Sequence, residues 1–539
     1  MSVFSTLLRQ RLRRDRWQLP MWILGTALLA YVTYIGVSES YGTQQDRQAL
    51  LATAIANPVI MLFRGLPSGA DEGAFMLFLI FPFLAMLAAF MSSFLAVRHT
   101  RMDEEQGRAE LVTATPAGRV QPLLATLVHG LLANLALAVL TALALIGTGL
   151  GVSGSFVAGF GAAAVGLSFL GVGLLSGQLM RTSRGANSLA VWVLLLSFLI
   201  AGLGNAVGTP TADLQRIESS WLTWLSPFGW GENSRPFADD NVWPLVLCAA
   251  FGLALAGVSV ALQSSRDLGA SLVPERRGRA DAPAGLTGPT ALVWRMTRGS
   301  ILGWAVGGLL TGLLATSLAG VLADVVTKLP SVEAILASIS ADASIAQGAV
   351  VIFFEVLGIL AACAAVQTVC RARQDEVHGT AEAVLATPTG RVSWLAGYVL
   401  VGFAAIAVVA AAGVTGAALG IAGRGGDWSL MGDAVVVAAG QVVAASVFLV
   451  VTALVFVLAP RLTIPLGWTL VFLAMVLGLF GPLFGFPDWV VHVAPIAIAP
   501  TVTGDGVDLQ GLWWLLLAIA GIAGAAAALM RRRELAPAG

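Results

Sequence analysis

Two polar segments of the chain place carboxylates and small residues at matching positions. Residues 101–120 (RMDEEQGRAELVTATPAGRV) and residues 373–392 (RQDEVHGTAEAVLATPTGRV) agree at 13 of 20 positions. Residues spaced i, i+4, i+7 and i+11 share one face of a helix. Each segment therefore predicts one helical face, formed by Asp103, Gly107, Glu110 and Ala114 in the first and by Asp375, Gly379, Glu382 and Ala386 in the second. Such a face favours docking, because its acids can pair with basic groups of a partner protein.

A Thr-Pro pair follows each acidic stretch. Thr is a suitable N-cap and Pro is favoured at the first helical position. Thr115-Pro116 and Thr387-Pro388 are therefore predicted to end one helix and to start the next. An amphipathic loop that only sets membrane topology is the alternative, but acidic residues contribute little to topology. The repeated carboxylates favour docking.

The elements that must hold these segments are membrane spans. The 539 residues are 57% hydrophobic and 11% charged, with a mean hydropathy of +0.85. Soluble domains carry about 25% charged residues. A spanning helix needs roughly 20 mostly apolar residues, and about twelve stretches of the chain qualify. The composition predicts an all-α integral membrane protein, whereas the alternating segments of about ten residues that are typical of a membrane β-barrel are absent.

The spans fall into two halves with the same plan. The first half is predicted over residues 1–263, the cytoplasmic linker over 264–293 and the second half over 294–539. Each half has six spans, a polar loop between its second and third span (98–120 and 370–392), and a broken outer segment before the sixth. Six is an even number, so the halves are parallel copies about an axis along the membrane normal. Residues 1–19 predict a helix in the membrane interface, with leucines on one side and arginines on the other.

Arginine is concentrated at both ends of the chain and in the linker, which predicts cytoplasmic termini. The polar N-terminus runs directly into a full-length span, so no cleavable signal peptide is expected. The three cysteines lack metal or redox spacing and are predicted to pack in apolar regions. Neither a metal site nor a nucleic-acid partner is expected.

The single lysine, Lys328 in VVTKLPS, limits the energy source. A Walker A loop requires Gly-Lys-Ser/Thr, so this chain cannot form one. We expect no cofactor on this chain. If ATP drives the protein, another polypeptide binds the ATP and its Mg²⁺.

The acidic–x–x–Gly–x–Ala–Glu–x–x–x–Ala–Thr–Pro pattern after the second span resembles the coupling helix of ABC type-2 exporter permeases. The two-half form, with ANPVIMLFRGLPSG outside and LSPFGW before the sixth span, resembles the polyketide-antibiotic exporter permeases of GC-rich bacteria. The resemblance covers nearly the whole chain. It implies a type V-like exporter fold that moves hydrophobic or amphipathic small molecules, such as antibiotics, other drugs or lipid-like compounds, out of the cytoplasm or inner leaflet.

The resemblance also implies two copies of a cytosolic ABC ATPase, one on each coupling helix. The residues that would couple transport to the ATPase, without catalysing anything, are Asp103, Glu104, Gly107, Glu110, Thr115, Pro116, Asp375, Glu376, Gly379, Glu382, Thr387 and Pro388. Arg108 stands where the wider family and the second copy (Thr380) have threonine, so the two docking sites are predicted to be unequal.

Glu355 lies inside the eighth predicted span, in AVVIFFEVLGIL. A carboxylate at membrane depth is costly and marks a candidate functional site, which could contact a cationic substrate or gate the pathway. A structural, hydrogen-bonded acid is an equal alternative. His129, Asn134 and Gln441 are weaker candidates for the substrate pathway, for which hydrogen bonding between helices is favoured.

A proton-coupled secondary transporter is the competing function. Two parallel six-helix halves also characterise the major facilitator fold, and Glu355 could carry a proton. That family, however, has a short inner loop rich in Gly and Arg, unlike the acidic segments here. A membrane-embedded enzyme is disfavoured because HExxH and Gly-x-Ser-x-Gly motifs are missing.

Overall fold

A computed structural model describes residues 3–55, 58–115, 118–267, 269–273, 285–326, 345–424, 428–479, 487–503 and 506–534. Within these ranges, twelve helices are long and apolar enough to cross a membrane. The predicted all-α membrane architecture is thereby confirmed. The chain divides into two compact units, Met1–Gly278 and Arg279–Gly539, which are described separately below.

The first unit contains six candidate spans and several shorter elements. Its helices are α1 (Val3–Arg14), α2 (Gln18–Ser40), α3 (Gln44–Ile55), α4 (Pro58–Phe63), α5 (Glu72–Arg98), α6 (Arg101–Glu105), α7 (Arg108–Thr113), α8 (Gln121–Gly147), α9 (Val152–Leu179), α10 (Ser183–Ala206), α11 (Pro227–Glu232) and α12 (Trp243–Ser265). The spans are α2, α5, α8, α9, α10 and α12.

Helix α9 forms the centre of the first unit, where it packs against α5, α8, α10 and α12. Its glycines permit this close approach. A Cβ on Gly159 would lie 2.3 Å from the Ala138 carbonyl oxygen, and one on Gly171 would lie 2.4 Å from that of Gly252. In membranes, where lipid competes with apolar side chains, small residues allow the backbone contact that holds helices together.

The second unit repeats this plan. Its helices are α13 (Pro289–Val326), α14 (Ile345–Val377), α15 (Thr380–Leu385), α16 (Arg391–Arg424), α17 (Leu430–Leu458), α18 (Thr463–Ala474), α19 (Asp488–Val491) and α20 (Leu512–Met530). Helix α17 packs against α14 and α20 as α9 packs against α5 and α12, and α13 packs against α16 as α2 packs against α8. The two-repeat organisation predicted from the sequence is therefore confirmed.

The outer segments before the sixth spans differ partly from the prediction. In the first unit, a 3-10 helix (Trp221–Leu225) and α11 form the expected broken helical pair. Ser226 separates them, and its hydroxyl accepts a hydrogen bond from the Phe228 amide. An antiparallel pair of short strands, β1 (Thr209–Pro210) and β2 (Ile217–Glu218), precedes this pair. The second unit has a similar hairpin of β3 (Thr501–Thr503) and β4 (Gly506–Asp508). Neither hairpin was predicted.

The N-terminal helix forms as expected, but its inward face combines a leucine of the predicted apolar side with an arginine. Helix α1 packs on α8, and its buried residues are Leu7 and Arg11. Leu12 is exposed instead. An arginine therefore occupies the inward face that the pattern assigned to leucines.

The span limits in the linker region also differ. Helix α12 continues to Ser265 and α13 begins at Pro289, so both helices extend into the predicted linker.

Candidate functional site

The two repeated segments fold into closely similar structures. We name residues 101–113 the first polar turn and residues 373–385 the second polar turn. In the first, Gly107 joins α6 to α7 with φ 71° and ψ 0°. In the second, Gly379 joins α14 to α15 with φ 73° and ψ 0°.

The prediction of one continuous helical face is wrong for both segments. A left-handed residue ends a helix, and glycine adopts this conformation without steric cost. Asp103 and Glu110 therefore lie on the two short helices α6 and α7. Asp375 lies near the end of the long helix α14, and Glu382 lies on the short helix α15. A Cβ added to Gly107 or Gly379 would meet no atom within 4 Å. Glycine is thus present for its backbone conformation and not for a close contact.

The prediction that the threonines act as N-caps is also wrong. The Thr115 hydroxyl donates to the Val112 carbonyl at 2.6 Å, and the Thr387 hydroxyl donates to the Val384 carbonyl at 2.6 Å. Both therefore bind carbonyls at the end of the preceding helix. The next helices begin only at Gln121 and Arg391. Pro388 precedes that second start, so it is not a first helical residue, and Pro116 lies outside the described residues.

A buried glutamate braces the first polar turn. Glu104 forms ion pairs with Arg101 at 2.9 Å and with Arg266 at 2.6 Å. Arg266 directly follows α12, the sixth span of its unit. Arg101 further donates to the carbonyls of Gly177 and Ala270 at 2.8 and 2.9 Å. The turn is thereby fixed to the ends of its neighbouring spans.

The second polar turn has the same brace. Glu376 pairs with Arg373 at 3.0 Å and with Arg533 at 2.7 Å. Arg533 follows α20, the sixth span of the second unit, and its guanidinium lies 4.3 Å from the centre of the Phe456 ring. The Glu104 and Glu376 side chains are only 7% and 1% exposed. Each turn is therefore linked rigidly to a sixth span.

The aspartates are held differently in the two turns. Asp103 pairs with Arg14 of α1 and with Arg108, each at 2.8 Å. Asp375 accepts a hydrogen bond from the Tyr398 hydroxyl at 2.7 Å and pairs with Arg371 at 3.1 Å. The side chain of Asp103 is 21% exposed, while that of Asp375 is 6% exposed.

These contacts give the four inner acids partners within their own unit. Asp103, Glu104, Asp375 and Glu376 were expected to offer charge to a partner, but each is already paired within its own unit. A buried, satisfied carboxylate gains little from a further cation, because desolvation opposes the new pair. The exposed acids of the turns are Glu105, Glu110 and Glu382, and Glu105 accepts a hydrogen bond from the Ser183 amide at 2.9 Å. Beside Glu110 and Glu382, Leu111 and Ala383 are exposed as well.

The candidates inside the spans are placed as follows. Glu355 lies half-buried in α14. Asn134 donates to the Ser92 hydroxyl at 2.8 Å, and Gln441 donates to the Ile496 carbonyl at 3.2 Å. The Asn134 contact joins α8 to α5, in agreement with the favoured prediction of hydrogen bonding between helices, whereas the Gln441 contact joins α17 to the outer segment.

His129 belongs to a buried cluster that sequence reasoning missed. The Nε2 atoms of His99 and His129 lie 2.6 and 3.0 Å from Oδ2 of Asp15. Arg98 lies 3.2 Å from the other carboxylate oxygen. Burial alone would raise the pKa of Asp15, but the two histidine hydrogen bonds and the charges of His99 and Arg98 lower it below the usual range.

The three side chains of this cluster could in principle hold a metal ion, because their ligand atoms lie within 4.8 Å of one another. The short contacts are instead satisfied as hydrogen bonds from both imidazoles to one carboxylate oxygen. The cluster joins the end of α1 to α5 and α8. Its residues are far apart in the sequence, so no local motif could have predicted it.

Twelve candidate spans in two repeated units, each with a braced polar turn between its second and third span, are the architecture of a multi-pass membrane permease. Comparison with known proteins specifies the class. The chain belongs to the family described as "Multidrug efflux system permease Rv1217c, C-terminal domain", which matches residues 7–262 and again residues 286–531. The predicted resemblance to a two-half exporter permease is confirmed.

The chain is also similar to a curated protein, the multidrug efflux system permease protein Rv1217c of Mycobacterium tuberculosis. The two are 32% identical over 532 residues, which cover 98% of this chain and 94% of that protein. The chain is therefore a membrane permease of a multidrug efflux family.

Proposed function

We propose that this chain is the permease of an ATP-driven exporter of hydrophobic or amphipathic small molecules. Two copies of a separate ABC ATPase subunit dock on the two polar turns and supply the energy. The turns and both termini face the cytoplasm, and the protein resides in a bacterial cell membrane. This assignment agrees with the multidrug efflux family to which the chain belongs.

The observation that carries the proposal is the duplicated brace. Each turn holds a buried glutamate between an arginine of its own helix and an arginine that follows the sixth span. A loop that only sets topology does not need such a brace, because it bears no load. A docking element must be stiff, since a force applied to it moves the spans only if the connection does not bend. The paired brace therefore supports two mechanically equivalent inputs.

The exposed side of each turn supplies the docking surface. Glu110 with Leu111 in the first turn, and Glu382 with Ala383 in the second, are exposed. We assign the acids to pairing with basic groups of the ATPase and the neighbouring apolar atoms to packing. Charge pairs at the edge of an interface chiefly affect association and register.

The nucleotide belongs to the partner in this proposal. The only lysine of the chain is not followed by Ser or Thr, so a Walker A loop must come from another polypeptide. ATP and Mg²⁺ bind there. The residues of this chain transmit the motion of the ATPase dimer to the spans.

The second candidate function is proton-coupled transport, and Glu355 is the observation that favours it. The carboxylate is half-buried in a candidate span, where an ionisable group is costly without a role. In the ATP-driven scheme, Glu355 contacts a cationic substrate or gates the pathway. Glu355→Gln should change the transport rate or the substrate-stimulated ATPase rate in that scheme. An unchanged profile would identify Glu355 as structural.

Transport in inverted membrane vesicles distinguishes the two functions. The full chain is expressed with and without an ABC ATPase subunit from the same organism, and uptake of a hydrophobic fluorescent dye is followed. We expect uptake only with both polypeptides and ATP, and no inhibition when a protonophore collapses the proton gradient. Uptake by the chain alone, driven by an imposed proton gradient, would overturn the ATP-driven assignment.

Docking is tested by charge reversal at both exposed acids. The double variant Glu110→Arg, Glu382→Arg should weaken co-purification of the ATPase with the permease. The matched control reverses Asp213 and Asp508, which are exposed residues of the outer segments. Equal loss of the complex in both double variants would indicate a general charge effect and would contradict docking at the turns.

A further inference from the structure

A basic cavity lies in the first unit beside the first polar turn. Its volume is about 200 Å³, and α1, the polar turn and the beginning of α8 enclose it. Six charged residues line it: Arg11, Arg14, Arg108, Arg119, Asp103 and Glu104. We refer to it as the basic pocket.

The two carboxylates of the basic pocket do not balance its four arginines. Asp103 is bonded to Arg14 and Arg108. Glu104 is bonded to Arg101 and Arg266, which do not line the cavity. Four guanidinium groups therefore face two carboxylates that already form ion pairs, although the charges of Asp103 and Asp15 also act on Arg11. The arginines outnumber the acids in the lining, so the cavity attracts anions.

The guanidinium of Arg11 lacks hydrogen-bond acceptors, among the described residues, for most of its N–H groups. It is 7% exposed, and its Nη2 makes only a long hydrogen bond of 3.4 Å to the His99 carbonyl. Within the described residues, its buried Nε and Nη1 have no hydrogen-bond partner. Burial lowers the pKa of Arg11 to about 10. A buried guanidinium with unsatisfied N–H groups is unfavourable unless an acceptor binds there.

The second unit shows that the fold does not require arginine at three of these four positions. The numbering offset that relates Arg16 to Arg298 takes Arg11 to Val293 and Arg14 to Met296. The offset that relates the polar turns takes Arg108 to Thr380. All three replacements line the equivalent cavity of about 100 Å³ in the second unit. The same backbone arrangement therefore forms with apolar and neutral residues at these three positions. Arg371 and Asp375 are the charged residues of that lining, and the offset of the polar turns takes Arg119 to another arginine, Arg391.

We propose that the basic pocket binds a phosphate group, which Arg11 and Arg119 hold by charge-assisted hydrogen bonds. The planar fork of arginine matches the oxygens of a phosphate. A phospholipid headgroup is the source that the surroundings favour. Leu7, Leu111 and Leu123 also line the cavity and can contact acyl carbons. Basic pockets near the cytoplasmic ends of spans lie at the level of anionic headgroups. A soluble phosphate compound is the other source of the same chemistry.

Thermal unfolding of the purified full-length chain in detergent tests the proposal, because a ligand that binds only the folded state stabilises it. Phosphatidylglycerol is titrated to give an apparent affinity. Diacylglycerol, which lacks the phosphate, and inorganic phosphate are titrated in parallel. We expect stabilisation by phosphatidylglycerol and none by diacylglycerol. An equal Arg11-dependent effect of inorganic phosphate would uphold phosphate binding and overturn the lipid as its source.

Three variants make the result specific. Arg11→Met should weaken phosphatidylglycerol binding about tenfold or more, because it removes hydrogen bonds to a charged group. Arg119→Met, at an exposed position that folding tolerates, should weaken it a few-fold. Arg13→Met is the matched control, because Arg13 is exposed on the same helix and does not line the cavity. Unchanged binding in the Arg11 and Arg119 variants, or an equal loss with Arg13→Met, would overturn the proposal.

Discussion

The two polar turns share a backbone and a buried glutamate but differ in how their aspartates are held. Gly107 and Gly379 have nearly the same dihedral angles, and Glu104 and Glu376 each bind two arginines. Asp103, in contrast, pairs with two partly exposed arginines, while Asp375 is enclosed with Tyr398. Both units therefore share the ion pairs of the buried glutamate. The surroundings of the aspartate differ between the units, and in the first unit they form part of the basic pocket.

The largest expected effect comes from removing the charge of the common brace. Glu376→Gln and Glu104→Gln each leave two buried arginines without their carboxylate, and breaking a buried ion pair in this way costs about 3–5 kcal/mol. Thermal unfolding of the purified chain measures the loss. Glu382→Gln is the control, since that exposed position should change stability by no more than about 0.5 kcal/mol. A large loss of stability in only one of the two variants would show that the two glutamates do not stabilise their turns equally.

The outer segments provide a second contrast between the units. Glu232 of the first unit is buried and accepts a hydrogen bond from the Asn205 amide at 2.6 Å. Burial raises the pKa of Glu232 to about 8, although the Asn205 hydrogen bond opposes this. In the second unit, the outer segment buries Ile496 and Ala499.

Glu232 should make stability depend on pH. The folded protein retains a proton that the unfolded chain releases, so this contribution is complete below the ordinary pKa of 4.5 and is lost as the pH rises to about 8. Glu232→Gln should flatten the decrease in stability between about pH 5 and pH 8, by a few kcal/mol at about 1.4 kcal/mol per pKa unit. Unfolding temperatures across this range measure it, with the exposed Glu218→Gln as control. An unchanged slope would show that Glu232 is ionised in the folded protein.

The aspartates should respond unequally to neutralisation. Asp375→Asn weakens an enclosed, charge-assisted hydrogen bond and should cost about 2 kcal/mol, whereas Asp103→Asn loses partly exposed pairs worth about 1 kcal/mol. Added salt should reduce the Asp103 contribution more, because exposed charges are screened. Tyr398→Phe isolates the hydrogen bond to Asp375. Equal losses of stability with equal salt dependence would contradict the proposed difference between the two aspartates.

The smallest effect is expected from the two turn glycines. Gly107→Ala and Gly379→Ala meet no steric obstacle, so only the left-handed backbone is strained, at about 1 kcal/mol. Hydrogen exchange of the turn amides should become faster in both variants. Gly118→Ala and Gly390→Ala are matched controls, since their Cβ atoms also meet open space and their φ values lie outside the left-handed region. Faster exchange in the controls would point to general loosening.

Much of the fold was predictable because it depends on local properties of the chain. Hydropathy locates the spans, and the near-identity of residues 101–120 and 373–392 locates the polar turns. The glycine break was predictable in principle, since a repeated glycine inside a helical pattern signals a left-handed residue as well as a close contact. The choice between one helix and two was wrong because periodicity alone does not weigh the backbone conformation of a single glycine.

The brace could not be predicted in the same way. Arg101 and Arg373 lie within the repeated segments, and their identity there was a visible signal. Arg266 and Arg533 are 162 and 157 residues away from the glutamates in the sequence. From the sequence alone, they indicate only which side of the membrane the adjoining segments face. The role of the turns in coupling to an ATPase stays a prediction.

The sequence by itself determined that this chain is an all-α membrane protein of two repeated halves, because span hydropathy and the internal repeat need no knowledge of packing. The permease class came from the resemblance of its repeated segments to a known family, which the comparisons confirm. Only the tertiary structure decided which of the repeated acids are enclosed in ion pairs and which are exposed. Folding brings arginines from distant helices to Asp103, Glu104, Asp375 and Glu376, and it leaves Glu110 and Glu382 exposed. The physical reason is that the energy of a charge depends on burial and on its nearest counter-charge, and both are set by contacts between distant parts of the chain.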